Sequence, residues 1–196
     1  MNPGKLRDRV TLLRLTGGAD LSFTKAAQVW AQVRETGRKN IFAKVGIGSD
    51  GVEIVLRERE ITLHDAILWN GCHYFLTNIA REGTAPAYLK IQAARVPCRT
   101  AEVYRCRTER GDTGQPVNVF ERVGSFPACL TEKYLGSAGE QSHMESETRL
   151  VAVAPKAAAC KAGDLFAIDG KRYRVMVVHD LEDWKIEYEI ERAEDD

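Results

Sequence analysis

The sequence predicts an all-β protein built as two tandem small β-barrel domains related by an internal repeat. Three observations carry this. Short apolar runs bounded by turn residues recur along all 196 residues. A strand–turn–strand pattern occurs twice, 99 residues apart. Helix signals are weak, the best being residues 22–32, where Ser22 can cap a turn or two before Ala26-Ala27.

The repeat is clearest at its hairpins. Residues 65–76 read Asp-Ala-Ile-Leu-Trp-Asn-Gly-Cys-His-Tyr-Phe-Leu, and residues 164–175 read Asp-Leu-Phe-Ala-Ile-Asp-Gly-Lys-Arg-Tyr-Arg-Val. Asp65 meets Asp164, Asn70-Gly71 meets Asp169-Gly170, and Tyr74 meets Tyr173. Asn-Gly and Asp-Gly between β-type runs signal a two-residue hairpin, because a type I′ turn needs positive φ at both central residues. This predicts strands over residues 66–69 with 72–80, and 165–168 with 171–179.

The remaining strands follow outward from the hairpins. A polar loop and a closing strand come next, at residues 87–94 and 184–191. Before each hairpin lies an alternating strand, at 52–57 and 149–153. Each copy has a second strand at 29–35 or 126–132, and opens with one at 9–15 or 117–122. Domains are expected over 1–95 and 117–196. Residues 94–116 hold Pro97, five arginines and the run Gly111-Asp112-Thr113-Gly114-Gln115-Pro116, and 96–116 read as linker, although 101–106 can extend a strand. Small barrels are the expected closure, since a closed sheet has no exposed edge. The first core is expected to take Val10, Leu12, Val29, Trp30 or Val33, Ile54, Leu56, Tyr74, Leu76 and Leu89 or Ile91. The second is expected to take Val119, Leu130, Leu150, Phe166, Tyr173, Val175, Val177 and Ile186.

Composition sets limits on function. Hydrophobic residues at 44% and charged residues at 29% fit a folded soluble chain. No apolar run approaches the roughly 20 residues of a membrane-crossing helix, and the charged N-terminus has no apolar core after it, so neither a membrane span nor a secretory signal is expected. Five cysteines, an odd number with no Cys-x-x-Cys pair, point to a reducing cytoplasm rather than a disulfide scaffold. Net charge is zero, but residues 1–110 hold 18 basic and 11 acidic residues (+7), and residues 111–196 hold 10 and 17 (−7). Such poles suit stacking between unlike partners, or are drift between two solvated surfaces.

No catalytic or cofactor motif emerges, so neither an enzyme nor a cofactor is expected. There is no phosphate loop, nucleophile elbow or His-Glu-x-x-His. Gly46-Ile47-Gly48 lacks the third glycine of a dinucleotide fingerprint. His64, Cys72 and His73 are close in sequence, but adjacent strand residues face opposite ways, so no metal site is expected. His179-Asp180 is the one pairing a hydrolase would use, and it reads better as a strand end. Glu187, Glu189 and Glu191 alternate and read as a solvated face or negative rim. The basic residues Arg34, Arg38, Lys39 and Lys44 have little aromatic interleaving for strand binding.

Two long segments, 36–51 and 133–146, separate the second and third strands of each copy. Loops of this length in small domains are usually functional or disordered. The first carries Ile41, Phe42, Val45 and Ile47, which suit packing on a neighbour or folding over the barrel end.

The opening Gly4-Lys5-Leu6-Arg7-Asp8-Arg9-Val10-Thr11-Leu12 resembles the start of the head–tail joining proteins of tailed phages. The run Trp30-Ala31-Gln32-Val33-Arg34, the glycine-bearing loop, the Asp65…Asn70-Gly71…Tyr74 hairpin and Tyr88-Leu89-Lys90-Ile91 follow in that family's order, so the resemblance spans residues 4–95. It implies a structural virion protein similar to the head-closure, or stopper, proteins. These are small β-barrels that form rings beneath the portal and adaptor, with an inter-strand loop that helps retain packaged DNA until ejection. By that resemblance, Arg38, Lys39, Ile41, Phe42, Lys44, Val45 and Ile47 of the 36–51 loop are the candidate ring-contact or channel residues. Implied partners are a homo-oligomeric ring, portal or adaptor proteins on the head side, tail-completion or tail-tube proteins on the tail side, and non-specific contact with packaged DNA. The implied location is the virion neck, and the host cytoplasm during assembly. A second barrel departs from the family's single one. The alternatives are a tail-completion or adaptor protein of the same neck, or a nucleic-acid-binding β-barrel.

Overall fold

The structure is a computed structural model that describes residues 3–39, 49–84, 87–111, 114–135, 147–181 and 185–193. The chain divides into two compact units, the first made of residues 1–16 and 23–98, the second of residues 17–22 and 99–196. Both are all-β, and the described residues contain one short 3-10 turn at Pro3–Lys5 and no longer helix.

The first unit holds β1 (Asp8–Thr16), β2 (Ser22–Lys39), β3 (Ser49–Arg57), β4 (Ala66–Trp69), β5 (Cys72–Glu82) and β6 (Tyr88–Val96). They close into a barrel in the order β1-β2-β3-β6-β5-β4. Closure runs through β1 and β4, with Leu12 opposite Ile67. The turn between β4 and β5 forms as its sequence demands. Asn70 and Gly71 have φ of 48° and 74°, and Trp69 pairs with Cys72. The segment 22–32, expected to hold a helical turn, is strand. Its β-branched and aromatic residues gain more from the ladder to β3, where Ala31 meets Leu56, than Ser22 offers as a cap. The core takes Val10, Leu12, Val29, Ile54, Leu56, Tyr74, Leu76, Leu89 and Ile91, with Val33 packed at its edge. Trp30 is excluded. Val29 and Ala31 point inward, so strand alternation turns Trp30 out, 55% exposed.

The second unit holds β7 (Cys98–Arg110), β8 (Pro116–Leu135), β9 (Glu147–Pro155), β10 (Leu165–Ile168), β11 (Lys171–Leu181) and β12 (Lys185–Arg192). They form a second closed ring in the order β7-β8-β9-β12-β11-β10. Residues 96–116, expected as linker, therefore supply this ring's first strand. Ala101 and Val103 of β7 are buried opposite Ile168 and Phe166 of β10. Arg99, Arg105 and Arg107 share the strand parity of Ala101 and Val103 and flank them where that face becomes accessible, Arg99 and Arg107 exposed and Arg105 half-buried. Residues 117–122 are not a separate opening strand but the first part of β8, continuous with 126–132. Asp169 and Gly170 form the matching turn, with φ of 49° and 75°.

Phe126, Phe166 and Tyr188 centre this core, their rings 5.1–6.0 Å apart. Phe166, Tyr173 and Val175 lie in the core as expected, and Leu130, Leu150 and Ile186 pack against it. Two expected core residues are exposed, Val119 at 40% and Val177 at 39%. A bulge between Val175 and Val177 inverts the inward–outward parity of β11, which turns Val177 out. Val119 belongs to the part of the β7–β8 hairpin where residues 117–122 are all exposed, which puts both faces of the strand in solvent.

Residues 19–21 add to β8. Leu21 N donates to Ser125 O at 2.7 Å, and Ser125 N donates to Ala19 O at 3.1 Å. Gly124, at φ 158°, permits this approach, because a Cβ there would stand 2.1 Å from Ala19 O. Asp20 holds Arg122 at 2.7 Å and the Ser125 hydroxyl at 2.9 Å.

Candidate functional site

The candidate loop is carried by the β2–β3 hairpin. Its ladder extends well past the core, through Arg34 with Glu53 and Glu35 with Val52 to Lys39 with Ser49. A bulge between Glu35 and Gly37 bends it, and Gly37 takes φ 75°. Arg38 and Lys39 end the strand, and only their backbone is described. Ile41, Phe42, Lys44, Val45 and Ile47 lie outside the described residues. Tall hairpins also occur in the second unit. The β8–β9 ladder runs from Cys129 with Val153 to Leu135 with Glu147. The β7–β8 hairpin, fixed by Arg107 with Glu121 and Thr108 with Asn118, leaves Val117, Val119 and Phe120 exposed. Sequence reasoning missed this hairpin because its glycine-bearing turn looked like the end of a linker.

Each unit also contains a buried aspartate just before its Asn/Asp-Gly hairpin. Asp65 Oδ2 accepts from Thr62 N at 2.8 Å and the Thr62 hydroxyl at 3.2 Å, with Arg14 of β1 at 3.9 Å. Asp164 Oδ2 accepts from Lys161 N at 3.0 Å, and Arg105 of β7 spans both its oxygens at 3.3 Å. These carboxylates close a turn and tie it to the neighbouring strand. Beside Asp164, burial and then the Asp164 charge push the Cys160 thiol up to about 12, which leaves it without useful nucleophilicity. The Tyr188 hydroxyl, raised by burial and by Cys160, donates to Ala158 O.

The sequence places His179 next to Asp180, but adjacent strand residues diverge, and the structure separates their roles. Asp180 pairs with Lys156 at 3.0 Å, and His179 Nε2 meets Glu189 Oε1 at 2.9 Å. Glu187 and Glu189, expected on a solvated face, are 1% and 7% exposed, and Lys185 on the same face is 1% exposed. They stand opposite the core residues Tyr188 and Ile190, so this outer face of β12 is covered as well as the inner one. Only Glu191 is exposed as expected. His179, Glu187 and Glu189 bring three potential metal-ligand atoms within 4.8 Å of one another. Arg149 lies 2.9 Å from Glu189, so a guanidinium already neutralises the carboxylate that a cation would need. The cluster reads as a buried ion-pair network. His73 and Cys72 face opposite sides of β5, and burial lowers the His73 pKa.

The charge poles sharpen when counted by unit. The first unit carries 14 basic and 8 acidic residues, a net of +6, and the second 14 and 20, a net of −6.

No family model, curated protein or solved structure matches this chain.

Proposed function

We propose that this chain is a structural virion protein of a tailed-phage neck. In this reading it joins head to tail as a homo-oligomeric ring between portal or adaptor and tail proteins, and helps close the DNA channel after packaging. The observation that carries the reading is the pairing of a closed six-strand barrel with a second closed ring of the same strand order, each bearing a long hairpin between its second and third strands. Compact closed sheets with projecting hairpins suit a part that is held by its neighbours. The exposed Val117, Val119 and Phe120 give the β7–β8 hairpin an apolar surface of the kind that partners bury. The +6 and −6 units suit head-to-tail contact between unlike surfaces, the interface type that closes into rings.

We also propose that the second unit is a diverged copy of the first. Support comes from the shared strand order, the Asp65 and Asp164 turns, and the β5 and β11 bulges 99 residues apart. In that alignment β7, not residues 117–122, is the partner of β1.

Deletion of the reading frame from its phage tests the proposal. DNA-filled heads and free tails should accumulate, and the full chain supplied in trans should restore joined particles. A chain lacking residues 40–48 should join heads to tails and leak DNA if that loop closes the channel. Normal infectious particles from the deletion would reject the neck role.

A further inference from the structure

The outer face of β1–β3 carries a cluster that neither the barrel nor the neck role uses. Val10, Val29, Ala31 and Leu56 point into the core, so Arg9, Trp30 and Arg57 point outward. The pairing of Ala31 with Leu56 makes Trp30 and Arg57 neighbours across the ladder. The Arg9 guanidinium lies 5.4 Å over the Trp30 ring. Arg7, Gln28 and Arg59 line the same groove. Four guanidiniums therefore surround one indole that is 55% exposed.

Among the described residues these arginines have no acidic partner. Arg7 donates to the Gly4 carbonyl at 3.1 Å and Arg59 to the Arg57 carbonyl at 3.5 Å. Among the described residues, no carboxylate pairs with Arg7, Arg9, Arg57 or Arg59, whereas Arg14, Arg81 and Arg95 of the same unit all have one. Concentrating like charge around an exposed indole raises the energy of the free protein and is relieved by an anion. The guanidinium fork matches phosphate oxygens, and an indole offers a flat apolar surface.

We infer that this groove binds single-stranded nucleic acid, with phosphodiesters on Arg7, Arg9, Arg57 and Arg59 and a base against the open side of Trp30. The acidic unit of a second copy has the charge but not the repeating alternation of phosphate and flat ring that matches this arrangement. The inference stands apart from the neck proposal, and either can fail alone. The sequence does not show the groove, because its residues come from three separate strands and no run of it looks basic.

The test is fluorescence anisotropy of the full chain with labelled (dT)20 and a 20-base-pair duplex. Four phosphate contacts give a salt slope of about −3 for a single strand, so affinity should fall about 60-fold between 50 and 200 mM NaCl. W30A should weaken (dT)20 binding about 5- to 150-fold, the range for loss of one stacked base. R57E/R59E should abolish binding with the melting temperature unchanged, and R57Q/R59Q should halve the slope if the charge reversal proves unstable. R81E, outside the groove, should bind normally. Three results would overturn the inference: no binding at 50 mM salt, (dT)20 binding indifferent to W30A and the Arg57/Arg59 changes, or salt-sensitive self-association through these arginines in place of DNA binding.

Discussion

Replacing Asp164 separates the two jobs its side chain performs. One oxygen accepts from Lys161 N at 3.0 Å and closes the turn into β10, and both oxygens meet the Arg105 fork at 3.3 Å. Asp164→Ala orphans a backbone N–H in a site where the carboxylate is 6% exposed, worth about 2 kcal/mol. It also removes an ion pair whose arginine is 38% exposed, worth about 1 kcal/mol after solvent screening. Asp164→Asn keeps the acceptor and loses only the charge, so it should lose about 1 kcal/mol. For a unit of roughly 100 residues, 1 kcal/mol shifts the melting temperature by about 4–8 °C. Calorimetry should therefore show a fall of about 12–24 °C for D164A and about 4–8 °C for D164N. Equal falls for the two would refute the division, because the turn would then contribute nothing beyond the ion pair.

Three further outcomes follow from named contacts. Burial lowers the His73 pKa, so the unfolded chain takes up this proton first as pH falls. Stability should decline from about pH 6.5 downward, and His73→Gln should flatten that slope in urea titrations at pH 7 and 5. At pH 8 a thiol held at about 12 has about a thousandfold less thiolate than one at its ordinary 9.0, so Cys160 should resist iodoacetamide while exposed Cys106 reacts, as peptide mapping would show. Gly124→Ala would set a Cβ against Ala19 O. It should break the two backbone hydrogen bonds of residues 19–21 with β8, destabilise by about 2 kcal/mol or more, and speed amide exchange at Leu21 and Ser125.

What the sequence revealed depended on how local the cause was. Asn70-Gly71 and Asp169-Gly170 dictate their turns from two residues, and the hairpins form where expected. The strand alternation of β3, β5 and β6 likewise exposes the first core. β7 was hidden because its apolar residues Ala101 and Val103 are few and small, and its burial comes from β10, some 65 residues later. The burial of Glu187 and Glu189 was not legible either, since alternation reveals that side chains share a face but not that the face is covered. The bulge in β11 cannot be read from Val175-Met176-Val177, which fits an unbroken strand equally well. Of the candidate site, the sequence marked the loop by its length and glycines, while the Trp30 groove needed the register of β2 with β3.

The proposed neck role is tested most directly by cryo-electron microscopy of the neck of tailed-phage particles assembled in the presence of this chain. The account predicts a ring of this chain between portal and tail, with residues 36–51 turned to the lumen or to a neighbouring subunit. A complete neck in which this chain has no density would contradict it.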